Sequence, residues 1–275
     1  MSDTFLKKEN VAQPARIAVL CCDAPLHFYL ISQLQQHFQL CGVVIESDQN
    51  QMDWLWKKRR YKLWLARKYH GIRRRWMGGR AFMKKFFRTD FDMQSLSVPV
   101  KQAFNINDQE TVGFLNDIQP DITIVCGTMF IGKRVRTAGN SLINLHGGVL
   151  PDYKGNQCIF FAFYQGNYDK IGATIHLVTG ELDGGGIIDV IKPAIHPDDN
   201  DESLYAKALK GCIAELIDVL QRYDAGESIA IQTQPAGNEK VWSHRDRTIM
   251  VEIRHHLNRR RIARERRVDM DVSIN

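Results

Sequence analysis

Residues 16–46 read RIAVLCC-DA-PLHFYLISQLQQHF-Q-LCGVVIE. Arg16 to Cys22 is a short aliphatic run, and Leu40 to Glu46 is another; such runs suit strands buried on both faces of a parallel sheet. Between them, Pro25 to Phe38 carries Leu26, Leu30 and Leu34 on one face of a predicted helix, with Asp23 available near its start. Strand, helix and strand in this order open an α/β fold. After Glu46 the pattern breaks. It resumes with a strand near Val98 to Lys101, a helix near Asp108 to Ile118, and strands at Ile122 to Cys126 and Ser141 to His146 around a short helix at Gly132 to Ala138. A helix over Gln157 to Gln165, a strand at Ala173 to Val178 and another near Ile187 to Ile195 follow. An amphipathic helix over Glu202 to Tyr223 and an edge strand at Ile229 to Gln232 complete the series. The expected fold class is α/β, with a doubly wound, mostly parallel sheet.

At 275 residues, with 44% hydrophobic and 25% charged, the chain is long enough to bury a core without cross-links. Small disulfide scaffolds, collagens and wholly disordered proteins are excluded. No apolar run of about 18 residues occurs, and Met1 to Gln13 lacks the apolar centre of a secretory signal, so a cytoplasmic protein is expected. The six cysteines, at 21, 22, 41, 126, 158 and 212, show no metal-ligand spacing; reduced thiols and no metal are expected. The net charge of +6 is local in origin: residues 54–89 hold 14 Lys/Arg and no acid, and residues 254–267 hold seven Arg against one Glu. The remainder is acidic.

Two segments carry chemistry: NLHGGVLPDYKG, from Asn144 to Gly155, and GATIHLVTGELDGGG, from Gly172 to Gly186. Residues two apart on a strand share a face, so Asn144 and His146 project together at a strand's carboxyl end, where open α/β sheets place their sites. A carboxamide and an imidazole supply an oxyanion donor and a proton-transfer group, the pair that acyl transfer to an amine requires. Asp183, at a strand-to-loop junction, is the candidate acid to orient the imidazole. Gly184, Gly185 and Gly186 allow close approach of backbone to a ligand. Taken singly, each also reads as structural: a satisfied histidine, a turn asparagine, a plain Asp-Gly loop.

Together and in this order the segments resemble the formyltransferase family that uses 10-formyltetrahydrofolate, whose members carry Asn-x-His, then Leu-Pro and Gly, then a Thr-x-His strand and a Leu-Asp-x-Gly loop. The resemblance runs over about residues 95–195. It implies the formyltransferase fold, with Asn144, His146 and Asp183 as the catalytic triplet. Met129, Phe130 and Ile131, with Val178, Thr179, Gly180, Glu181, Leu182 and Gly184, correspond to the walls of the folate pocket, and His176 to a lining position of the pterin site. Gly147, Gly148, Tyr153, Lys154 and Gly155 fall on the acceptor side. The implied co-substrate is 10-formyltetrahydrofolate, acting without a metal. Catalytic residues are expected within 14–233, interrupted by a basic aromatic insertion at about 52–92 and followed by a basic helical extension over 234–275.

Family members differ in the amine they formylate. The turn Cys21 to His27 contains no glycine nest for a phosphate, which disfavours glycinamide ribonucleotide. Only some forty residues follow Gln234, short of the added domain of the initiator-tRNA enzymes. The expected acceptor is therefore a nucleotide-linked amino sugar of surface-polysaccharide synthesis. Other amines, or an inactive core serving as a nucleic-acid or membrane-binding module, are the alternatives. The block at 54–89 interleaves cations with Trp54, Trp56, Trp64, Trp76, Phe82, Phe86 and Phe87. It suits an anionic membrane surface first and nucleic acid second, against a plain helical pair packed on the core. The expected location is thus cytoplasmic, peripheral to the inner face of the membrane if that contact is made.

Overall fold

The computed structural model describes residues 4–8, 12–91, 96–235 and 240–257. In chain order the elements are β1 (Thr4–Leu6), β2 (Ile17–Cys21), α1 (Pro25–His37), β3 (Leu40–Glu46), α2 (Asp48–Lys57), α3 (Tyr61–Trp76), α4 (Gly79–Phe86) and β4 (Val100–Ala103). There follow α5 (Gln109–Ile118), β5 (Ile122–Cys126), α6 (Lys133–Ala138), β6 (Ser141–His146), β7 (Lys154–Gly155), α7 (Cys158–Gln165), β8 (Ala173–Leu177) and β9 (Ile187–Ile191). Last come α8 (Asp201–Asp224), β10 (Ile229–Ile231) and β11 (Val241–Trp242). Residues 249–257 are helical.

Seven strands form one sheet in the order β4-β3-β2-β5-β6-β8-β9. The pairings from β4 to β6 are parallel; β8 runs antiparallel to both its neighbours. Strand order therefore reverses between β2 and β5, which creates a crevice at their carboxyl ends. The two aliphatic runs bury both faces. Ile17, Val19 and Cys21 pack with Leu30 and Leu34 of α1 and with Leu209 and Leu216 of α8, whereas Ala18 and Leu20 pack with Leu115 of α5 and Val135 of α6. Helices thus cover the two sides, as a doubly wound sheet requires. Among the described residues no helix is long and apolar enough to cross a membrane.

Several local expectations are corrected. Asp23 does not cap α1; its Oδ1 accepts from the Asp48 N–H at 2.9 Å, at the start of α2. The α1 terminus is closed by His27, whose Nδ1 accepts from the Ala24 N–H at 3.2 Å. The edge strand β10 pairs with β1, across more than two hundred residues, and among the described residues the link to the main sheet is a bridge from Gln232 to Ile187. A three-residue strand has no periodicity to read.

The basic block is three helices, with a break after α3 at Gly78, whose φ of +77° ends the helix. Residues 240–257 are packed into the body. Trp242 stacks on Phe161 with ring centroids 3.8 Å apart, and Arg247 is 2% exposed. Most of the second basic segment, residues 258–267, lies outside the described residues. All six cysteines are free thiols.

Candidate active site

β6 and β8 pair antiparallel with Asn144 opposite His176 and His146 opposite Thr174. On β6, Ile143 and Leu145 face the large cluster under α8, so Asn144 and His146 turn to the other face. His176 joins them, since its neighbours Ile175 and Leu177 also belong to the large cluster. The alternation of two strands thus places a carboxamide and two imidazoles side by side.

Their hydrogen bonds fix the tautomers. The Leu177 carbonyl lies 2.8 Å from His176 Nδ1, which must therefore carry the proton. The lone pair on Nε2 then accepts from Asn144 Nδ2 at 3.0 Å. Burial, with the neighbouring His146 second, lowers the His176 pKa to about 4, so this ring is neutral near pH 7. Asn144 is consequently held with its amide nitrogen toward His176 and one N–H still available. His146 donates from Nε2 to the Tyr153 carbonyl at 2.8 Å, which leaves Nδ1 with the lone pair. That atom is 3.6 Å from Asp183 Oδ2.

Asp183 sits in the left-handed region, φ +50°, and its Oδ1 is 3.7 Å from His176 Nε2. The Gly155 N–H donates to its Oδ2 at 2.8 Å, and Gln234 Nε2 donates to its carbonyl at 2.8 Å and to that of Gly185 at 2.6 Å. Asn144, His146, His176 and Asp183 converge as one polar set, the two histidines buried and Asn144 and Asp183 half-buried. Tyr153, Gly155 and Gln234 supply anchoring groups that sequence reasoning missed or assigned otherwise. Two of these are backbone groups, which no side-chain pattern reports.

The remaining candidates divide. Met129, Ile131 and Val178 share one small apolar cluster, so the loops after β5 and β8 do meet. Phe130 and Leu182 are exposed on those loops, as are Thr179, Gly180 and Glu181. Gly184 is half-buried against Glu181. Buried Glu46 tethers the first loop: it accepts from the Met129 N–H at 3.0 Å and the Ile106 N–H at 2.8 Å. Gly147 abuts the Tyr205 ring, and Gly148 is enclosed by His146, Cys158 and the Tyr153 carbonyl. The Tyr153 ring points away into the core, its hydroxyl donating to Gln165 Oε1 at 2.6 Å and accepting from Asn167. Lys154 pairs with Val241 in the β7–β11 ladder.

Among the described residues burial lowers the pKa of four histidines, His27, His70, His176 and His244. His27 and His176 have pKa values lowered to about 4; His244, also repelled by Arg67 and other cations, is lowered to about 3. In the unfolded chain each binds a proton near pH 6.5. Stability is therefore intact above pH 6.5 and is lost as pH falls toward 4, by about 1.4 kcal/mol per pH unit for each histidine protonated only when unfolded. Thermal melts from pH 7.5 down to 5 should show a falling midpoint, with a shallower fall in His27→Gln. A midpoint flat over that range would contradict the assignment.

Residues 85–220, which include the whole polar set, match the family model described as formyl transferase. The methionyl-tRNA formyltransferase of Sulfurihydrogenibium sp. (strain YO3AOP1) is 31% identical over 148 residues, covering 53% of this chain and 46% of that protein. The methionyl-tRNA formyltransferase of Listeria monocytogenes serotype 4a is 28% identical over 172 residues, covering 58% and 55%. The chain spans about half the length of these curated relatives. A solved 4-N formyltransferase from Francisella tularensis has TM-score 0.56 at 15% identity, covering 89% of this chain and 87% of that one. A phosphoribosylglycinamide formyltransferase from Anaplasma phagocytophilum has TM-score 0.52 at 18% identity, covering 83% and 98%. At such identities the solved structures show the fold.

Proposed function

Because the chain belongs to the formyl transferase family, which it matches over residues 85–220, we propose that it transfers a formyl group from 10-formyltetrahydrofolate to a primary amine. The observation that carries this reading is the convergence of Asn144, His146 and Asp183 at the carboxyl end of β6, with His176 orienting the amide. When bound, the folate co-substrate supplies a formyl group already activated on nitrogen. The residues present fit it: Met129, Ile131 and Val178 form an apolar wall, rimmed by exposed Phe130 and Leu182, beside the polar set.

As the amine nitrogen bonds to the formyl carbon, negative charge gathers on the carbonyl oxygen. Asn144 presents its free N–H to that charge, and a donor of this kind is worth roughly 3 kcal/mol. His146 takes the amine proton on Nδ1 and can return it to the departing nitrogen. The imidazolium so formed lies beside the Asp183 carboxylate, which lowers its cost. Asp183 is held for this by Gly155 and Gln234.

The acceptor proposed is an amino sugar carried by a nucleotide. At the first strand-to-helix turn, the Ala24 N–H is taken by His27 itself, and the His27 ring lies directly against Gly127. With the Ala24 N–H bonded and Pro25 lacking one, this terminus offers an acceptor phosphate few donors, which disfavours glycinamide ribonucleotide. The likeness to a solved sugar N-formyltransferase from Shewanella sp FDAARGOS_354, with TM-score 0.53 over 87% of this chain, supports the sugar reading. The test incubates the full chain with 10-formyltetrahydrofolate and a panel of nucleotide-linked 3-amino and 4-amino sugars, glycinamide ribonucleotide and methionyl-tRNA, with products read by mass spectrometry. Formylation of an amino sugar is expected. Activity confined to the tRNA or the ribonucleotide would overturn the acceptor; no transfer to any amine, with no folate binding by calorimetry, would overturn the reaction.

A further inference from the structure

Helix α3 is amphipathic in the reverse sense. At 3.6 residues per turn, Tyr61, Leu65, Ile72 and Trp76 fall within an arc of about 60°. That arc faces outward: Leu65 is 59%, Ile72 54% and Trp76 88% exposed. Exposed Lys62, Lys68 and Arg75 flank it, and exposed Trp56 and Met77 extend it at the two ends. The polar residues point inward instead. Arg67 bonds to Asp48 and Gln51 at 2.8 Å, His70 to the His244 carbonyl at 2.8 Å, and Arg74 to both Glu202 oxygens at 2.7 and 2.8 Å. Arg73 meets Glu252 at 3.1 Å.

This last pair ties α3 to the helical segment 249–257, which repeats the pattern. Ile249, Met250, Ile253 and Leu257 are exposed there on one side, next to exposed Arg254. An apolar stripe held outward by ion pairs on its back, in a block of 14 cations and no acid, has surface to bury and charge to neutralise.

We infer that the outer face of α3 docks this protein on an anionic lipid surface, with the helix lying in the headgroup layer. A bilayer of acidic lipids satisfies both halves of the face: Lys62, Lys68 and Arg75 meet phosphates, while Trp76, Ile72 and Leu65 enter the boundary with the acyl chains. The other occupants satisfy one half each. A second copy of the chain would set this cationic face against itself. A nucleic acid would engage the cations and stack on Trp76, but would leave Leu65, Ile72 and Met77 in water.

The experiment is co-flotation of the full chain with vesicles of phosphatidylcholine containing 30% phosphatidylglycerol, against vesicles of phosphatidylcholine alone. Binding to the acidic vesicles is expected, at least tenfold weaker to the neutral ones and at least tenfold weaker in ~0.5 M salt. The double variant Ile72→Ser/Trp76→Ser, both positions exposed and outside the polar set, should lose tenfold or more in partitioning while keeping its melting temperature and its formyl transfer. Absence of flotation with acidic vesicles overturns the proposal. So does flotation that the double variant leaves unchanged, since charge alone would then suffice. Sedimentation showing a dimer that the variant dissociates assigns the face to a second copy. Tighter retention on single-stranded RNA than on vesicles, abolished by the variant, assigns it to nucleic acid.

Discussion

His146→Ala is expected to lower kcat for formyl transfer by about 10²- to 10⁴-fold, the range for loss of a positioned proton-transfer group. KM should change little. In the proposed mechanism the ring meets the reacting proton through Nδ1, while its Nε2 is committed to the Tyr153 carbonyl at 2.8 Å and holds the loop. Asn144→Ala should cost 10²- to 10³-fold for a separate reason, loss of the oxyanion donor. The double variant should fall well short of the product of the two, because both groups serve one transition state. Steady-state kinetics with a formylated amine as product checks all three. Near-normal kcat in His146→Ala removes the proposed proton transfer, and a fully multiplicative double variant means the two groups act independently of each other. His176→Gln tests the positioning of Asn144: a glutamine amide can still bond to Leu177 or to Asn144, but not to both in the imidazole geometry. A moderate fall in kcat with unaltered folate affinity is expected from calorimetry and rates together.

Arg247→Ala should cost about 3–5 kcal/mol of stability, the usual range when one member of a buried ion pair is removed. The guanidinium bonds to Asp201 at 2.8 Å, Glu252 at 2.5 Å and Gln157 at 2.7 Å, and lies over the Phe160 ring at 3.5 Å. Its removal strands the Asp201 carboxylate at the start of α8 and leaves Glu252 with Arg73 alone. It also loosens α7 and the 240–257 segment, which carries β11 against β7 and so backs the Gly155 anchor of Asp183. For a chain of this size the melting temperature should drop by roughly 10 °C. The double variant Arg247→Met/Asp201→Asn should recover part of the loss, because Asp201 is then uncharged and Glu252 keeps its pairing with Arg73. Differential scanning calorimetry of the wild type and both variants decides it; an Arg247→Ala protein as stable as wild type would mean the acids are solvated.

Much of this was legible in the residues. The strands at Ile122 to Cys126 and Ser141 to His146 have the bounds expected of them, because buried parallel strands are written as unbroken aliphatic runs. The face shared by Asn144 and His146 follows from the two-residue period, and the existence of an apolar stripe on α3 from the helical one. Periodicity reports which residues share a face, but not which way the face turns. A reader expecting apolar residues inward would place Trp76 in the core, where the structure has it 88% exposed. The reason lies in partners remote in sequence: Glu202, His244 and Glu252 hold the polar side of α3 inward.

The sequence alone therefore determined the doubly wound sheet and the shared face of Asn144 and His146, since both arise from local period and order. Tertiary structure alone decided the orientation of the Asn144 amide against His176, the groups that hold Asp183 and the inversion of α3. Each of these depends on a hydrogen bond or ion pair between segments far apart along the chain, and such pairings exist only once the chain has closed on itself.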